Sequence, residues 1–143
     1  MEHPDVNLYI QTSVHGPAQH GGRYIYVLEW ICSSGQPVTR DAIGAHEDKK
    51  ETALVLDALA DALARLRLPC VLEIYTGCRQ VKNAVDNGWL DAWERNGWQT
   101  AKGEDIRHRQ QWERVAELLR PHLVTIRAEP HSYSSWMETQ LER

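Results

Sequence analysis

The stretch Cys70–Trp98, CVLEIYTGCRQVKNAVDNGWLDAWERNGW, decides how the rest of the chain is arranged. Cys70–Tyr75 is a compact apolar run with strand character, set off from what precedes it by Pro69. Past Thr76-Gly77 the pattern turns helical over Lys82–Trp98, with a break at Asn87-Gly88 and a stop at Asn96-Gly97. Trp89 and Trp93 stand four residues apart on one helix face, a spacing that favours packing, so they and Trp98 are expected in the core. Upstream, Glu51–Arg67 places Val55, Leu56, Leu59, Leu63 and Leu66 at helical spacing, with Asp57, Asp61 and Arg65 opposite. A strand that follows such a helix implies a crossover back into a sheet.

Working outward, Val6–Ile10 is a short strand that ends at Gln11-Thr12-Ser13. His15–Gly22 has the Gly and Pro content of a loop. Arg23–Cys32 is a strong strand: Tyr24, Tyr26, Leu28 and Trp30 share one face, and Ile25, Val27, Glu29 and Ile31 the other. After the turn at Ser33-Ser34-Gly35, Gln36–Ile43 supplies a weaker third strand, and such short connections favour an antiparallel meander. Toward the C-terminus, His108–Arg120 is a helix burying Trp112, Val115, Ala116 and Leu119. His122–Arg127 is a last strand and Ser134–Leu141 a closing helix. The order implies an α/β fold, a mixed five-stranded sheet with helices on both faces.

The chain has 143 residues, the length of one domain, and the expectation is a single domain over 1–143. With 42% hydrophobic and 25% charged residues it has the composition of a soluble globular protein. Twenty acids against 16 bases give a net charge of −4, the wrong sign for gripping nucleic acid over the whole surface. Six Trp and five Tyr accompany no Phe. The N-terminal MEHPDVNLYI reads without a secretory leader, and no apolar run reaches the roughly 20 residues that cross a bilayer. Cys32, Cys70 and Cys78 form neither an even set nor a CxxC pair, so free thiols and a cytoplasmic location are expected.

The run Ile74-Tyr75-Thr76-Gly77-Cys78-Arg79-Gln80-Val81, followed by Trp89, Trp93 and Asn96-Gly97-Trp98, resembles the type 1 ribonuclease H family. There a strand ending "YTDSxYV" leads into helices patterned "W…W…NGW". Gly103, Ile106 and Trp112 continue the resemblance, as do Thr12-Ser13, Gly21-Gly22-Arg23-Tyr24 and the Ala58–Leu63 stretch upstream. The resemblance implies a ribonuclease H-like fold and hydrolysis of the RNA strand of an RNA–DNA hybrid, with two divalent ions (Mg²⁺ or Mn²⁺) held by four carboxylates.

Position by position, the resemblance puts two of those acids in doubt. Gln11 takes the place of the strand-one acid and keeps a carbonyl oxygen but no charge. Gly77 takes the place of the acid that ends the strand after the first helix, and supplies no side chain. At the helix start, an ungapped count gives Thr52 and a one-residue shift gives Glu51; a helix turns about 100° per residue, so the two face differently. Near the C-terminus an ungapped count puts Leu141 in the last acid's place, while a deletion makes Glu138 the best surviving candidate, and His131 falls where the family carries a histidine in a mobile loop. Glu73 lies on the strand face of Gly77 but about 13 Å away, too far to substitute.

Metal ligation by His15 and His20 lacks a third ligand, so no metal site and no cofactor are expected unless hydrolysis persists through a rearranged site using Mg²⁺ or Mn²⁺. Cys78 is expected to be a buried, unreactive thiol. Arg79, Lys82, Lys102, Arg107 and Arg109, with Arg114 beyond, suggest a strip that binds nucleic-acid backbone. The leading expectation is a catalytically inactive ribonuclease H-like protein that still binds hybrid or structured RNA and has no membrane contact. One alternative is an active nuclease. The other is a protein-interaction module or homodimer exposing Tyr24, Tyr26 and Trp30, which requires that helices leave that strand face uncovered.

Overall fold

The computed structural model describes residues 4–13, 22–46 and 50–142. Its elements are β1 (Asp5–Thr12), β2 (Gly22–Ile31), β3 (Pro37–His46), α1 (Glu51–Leu63) and β4 (Val71–Tyr75). There follow α2 (Arg79–Asp86), α3 (Trp89–Arg95), α4 (Arg109–Leu119), β5 (Leu123–Arg127) and α5 (Ser134–Leu141). The five strands form one mixed sheet in the order β3-β2-β1-β4-β5. β1 and β3 run antiparallel to β2, whereas β4 runs parallel to both β1 and β5. The expected fold class is therefore the observed one. His15 and His20 lie outside the described residues.

The central strand β1 is covered on both sides. Val6, Leu8 and Ile10 join Leu28, Leu72 and Ile74 in the larger core, under Leu54, Leu59 and Leu63 of α1 and Trp112 and Val115 of α4. Tyr9, with Ile25 and Val27, faces Met137 and Leu141 of α5. Each such aliphatic side chain contributes about 1.5–3 kcal/mol when fully buried. Among the described residues no buried side-chain nitrogen or oxygen lacks a partner. The fully buried Tyr26, for instance, donates its hydroxyl to Asp61 Oδ2 at 2.6 Å.

Several expected boundaries shift. β1 continues through Gln11 and Thr12, which pair with Ile25 and Tyr24, because neighbouring β2 is long enough to hold them in register. α1 stops at Leu63 instead of Arg67. Hydrogen bonds from Arg65 N–H to Ala62 and from Leu66 N–H to Leu63 tighten the chain into a turn, and from that turn Leu66 still reaches the core. The apolar period thus outlasts the helix. The second helical region begins at Arg79 and is two helices, α2 and α3. Gly88, at a φ of +70°, makes the left-handed step between them.

The tryptophan expectation needs correction. Trp98 is buried and Trp93 half-buried, but Trp89 is 40% exposed because it starts α3 beside the Gly88 turn. Trp93 is the hub, with its ring centroid 6.0, 6.4 and 5.2 Å from those of Trp89, Trp98 and Trp112. The exposed aromatic face on β2 that the protein-interaction alternative requires is absent among the described residues: α1 covers Tyr24 and Tyr26, and Trp30 is half-buried under Arg40.

Gly44 of β3 makes room for Tyr24. A Cβ there would meet the Tyr24 ring at 2.3 Å, so the phenol lies across the glycine of the edge strand. Gly44→Ala is expected to destabilise the fold by about 1–3 kcal/mol, the cost of overpacking. A lowered urea midpoint at unchanged slope would show this, and the cost should shrink in a Tyr24→Leu background.

Candidate functional site

Parallel strands bring their carboxyl ends to one edge of a sheet, where ligands collect in open α/β folds. The ends of β1, β4 and β5 meet the N-terminus of α1 and the side of α5 there, around a cleft of roughly 280 Å³. Gln11 and Thr12 come from β1, Tyr75, Thr76 and Gly77 from the end of β4, and Ala128 to His131 from the segment after β5. Glu51 enters from α1 and Ser134 and Glu138 from α5. The five positions singled out as catalytic or degenerate, Gln11, Glu51, Gly77, His131 and Glu138, therefore line one cavity.

The structure separates Glu51 from Thr52. Glu51 stands in the cleft wall, while Thr52 turns inward, donates to Gln80 Oε1 at 2.6 Å and lies 3.7 Å from Cys78 Sγ. Cys78 is buried, and burial pushes its thiol above the ordinary value, as expected of an inert cysteine. Thr76 Oγ1 accepts the Cys78 N–H and fixes the turn that carries Gly77. A Cβ on Gly77 would meet nothing within 4 Å, so the site has open space for a side chain.

Glu129 was missed in the sequence. It lines the cleft two residues beyond the end of β5, and the end of β5 at Arg127 was the signal that could have placed it there. Its contact with Arg127 is long, 3.5 Å. Glu73, as expected, takes no part in the cleft: it pairs with Arg127 at 3.1 Å and accepts from Tyr75. Three carboxylates thus line the cavity, Glu51, Glu129 and Glu138. Yet among the described residues no three His, Cys, Asp or Glu side chains are gathered closely enough to hold a metal ion. An amide at Gln11 and a bare backbone at Gly77 do not fit a two-metal centre, which needs negative oxygen ligands between the ions.

His131 packs against aromatic rings. Its ring lies 4.4 Å from that of Tyr9 and 5.6 Å from that of Tyr75, and its Nδ1 accepts the Tyr133 N–H. Burial lowers its pKa below the ordinary 6.5, so it is neutral at physiological pH. Beneath this stack Glu29 accepts hydrogen bonds from Asn7 Nδ2, Tyr9 Oη and Tyr133 Oη, joining β1 and β2 to the turn before α5. Burial pushes the Glu29 carboxyl up, but the three donors outweigh it and hold it below the ordinary carboxylate value. Nothing in the alternating pattern of β2 distinguished Glu29 from a solvated charge.

The basic strip is only partly available. Lys82 is paired with Asp86, and Arg109 with Asp105 and Glu113. Arg79, at the start of α2 beside Gly77, and Lys102 and Arg107, between α3 and α4, are exposed without an ion pair among the described residues. None of the five lines the cleft.

The five-stranded sheet and its helices have the ribonuclease H fold. The ribonuclease H family model matches residues 5–130, and the chain belongs to that family. It is 34% identical over 87 residues to the ribonuclease H of Chlorobium chlorochromatii, a match covering 61% of this chain and 60% of that protein. With the ribonuclease H of Clostridium botulinum the identity is 36% over 89 residues, covering 62% of this chain and 60% of the relative. The chain thus spans about three fifths of the length of these relatives. Among solved structures it is similar to LC9-RNase H1, a type 1 RNase H with the type 2 active-site motif. The TM-score is 0.80 at 17% identity, covering 98% of this chain and 71% of that one. It is also similar to the foamy viral protease-reverse transcriptase in complex with RNA/DNA hybrid, at a TM-score of 0.68 and 16% identity. That match covers 96% of this chain and 19% of the viral one.

Acid should remove stability in two steps. His131 and His122, the latter accepting the Cys70 N–H at Nδ1, are both lowered below 6.5 by burial. The folded state therefore disfavours their protons. That contribution is complete above 6.5 and is lost as pH falls from there toward the folded values. Glu29, also lowered, contributes fully above 4.5 and loses its share as pH falls below that through its folded pKa. Denaturant unfolding followed from neutral to acid should show both slopes, and Glu29→Gln should flatten only the second.

Proposed function

We propose that this chain binds RNA–DNA hybrid through the family's cleft and its exposed arginine and lysine side chains, without hydrolysing it by the two-metal route. The observation that carries this reading is the lining of the cleft. Gln11 and Gly77 stand at the ends of β1 and β4, and the remaining carboxylates do not assemble into a metal-holding group among the described residues. With Gln11 and Gly77 at two of its strand ends, the cleft keeps three carboxylates, Glu51, Glu129 and Glu138, and repels a phosphodiester less than it would with acids at those two positions as well. Arg79, Lys102 and Arg107 offer three unpaired cations for backbone contacts. The hybrid held by the foamy viral relative supports this choice of ligand. Binding by a protein surface through Tyr24 and Tyr26 loses ground, since α1 covers both.

The test is fluorescence anisotropy with a labelled hybrid over a range of salt. Affinity should fall with salt at a slope near that of three phosphates, about 0.9 per contact, and Arg79→Ala should reduce the slope by about one contact. Absence of binding at low salt would overturn the reading, as would cleavage of the hybrid in Mn²⁺ or Mg²⁺ abolished by Glu51→Ala. That second result would instead support an active rearranged site. Gln11→Asp combined with Gly77→Asp should add Mn²⁺ uptake by titration calorimetry, because Gly77 has space for the new side chain. No uptake would discredit these two positions as the missing centre.

A further inference from the structure

A second and larger cleft, roughly 570 Å³, opens at the other end of the molecule, where β1 and β4 begin and α1 ends. Its walls are apolar: half-buried Trp30, Leu66 from the turn after α1, and Leu68, which is 64% exposed on the lip. Three guanidinium groups ring it. Arg40 lies 5.8 Å above the Trp30 ring, Arg65 lies 5.8 Å from the Tyr26 ring, and Arg67 is exposed without an ion pair among the described residues. No Asp or Glu lines the cleft among the described residues. In a chain of net charge −4, this is a local reversal of sign around an apolar floor.

We propose that this cleft docks an acidic peptide segment carrying an apolar anchor side chain. The charge complementarity sets the partner's sign, because guanidinium groups stay charged and match carboxylates in a two-pronged geometry. Stacking on Trp30 and Tyr26 restrains two of them before any partner arrives, so less freedom is lost on binding. The floor sets the rest of the partner's chemistry. Aliphatic walls take a leucine or phenylalanine side chain, whereas a nucleobase would bring edge donors and acceptors that these walls leave unpaired. Aromatic and arginine side chains that become buried on binding often dominate interface energetics.

The experiment uses the full chain and a fluorescein-labelled acidic peptide, aspartates flanking a central Leu-Phe pair, read by anisotropy. Saturable binding that weakens with salt is expected, and Arg65→Glu with Arg67→Glu should weaken it about tenfold or more. Leu68→Ser should weaken it as well, and an all-aspartate peptide should bind less tightly than the parent peptide. All three altered positions are exposed, and unchanged circular dichroism melting would show that the variants fold. The proposal falls if no saturation is reached by about 1 mM, or if the double arginine variant binds as well as the parent. It also falls if oligothymidylate displaces the peptide and proves the tighter ligand, which would assign the cleft to single-stranded nucleic acid. RNA–DNA hybrid should neither compete with the peptide nor lose affinity in the variants, so failure of hybrid binding and failure of this proposal are separate results.

Discussion

The parallel pairing of β1 with β4, register Tyr9 opposite Tyr75, is the constraint on which the rest depends. From β1 the chain runs through the hairpin strands β2 and β3, and to lay β4 parallel to β1 on its other side it must then leave the sheet, form α1 over its face and return. That crossover buries α1 against β1 and β2 and creates the larger core. It also points the carboxyl ends of β1 and β4 to the same edge, which is why residues 66 positions apart in sequence, Gln11 and Gly77, share a cavity. At the opposite edge the same crossover leaves the end of α1 beside the start of β4, and the second cleft forms in that gap.

The smaller core has a different logic. α5 is two turns long and covers only the middle of its sheet face, through Met137 and Leu141. A polar centre completes it: Tyr9 and Tyr133 both donate to Glu29, and Tyr75, His131 and Tyr133 close over Tyr9. A half-buried carboxylate with three donors is satisfied, and it pins the turn that delivers His131 and Ser134 to the cleft. The geometry of the functional edge is therefore set partly from the far side of the sheet.

Strands with strict alternation, and helices with a clear apolar period, were legible in the sequence because burial writes a period of two or of about 3.6 into the chain. The cleft was legible where a motif tied a residue to a strand end, as with Gly77 after Tyr75-Thr76. What could not be read was whatever depends on partners distant in sequence. Glu29 alternates like any surface charge until Tyr133, 104 residues away, is folded over it. Lys82 and Arg109 looked like members of a free basic strip, yet each has an acid four residues along its own helix or just before it. Trp89 shares the spacing of Trp93 but starts its helix and projects beyond the core. The end of α1 was misplaced because Leu66 keeps the apolar period after the hydrogen bonding has changed.

Gly77 also bears on how far the cleft depends on the fold. Nothing within 4 Å waits to receive a side chain there and its φ lies outside the left-handed region, so neither packing nor backbone requires glycine. A position of this kind is not protected by the stability of the fold. A substitution such as Gly77→Ala is therefore expected to leave β1, β4 and α1 as they are. At this position the architecture and the chemistry of the cleft are separable: a new side chain at residue 77 would alter the lining of the cavity and ask nothing of the core.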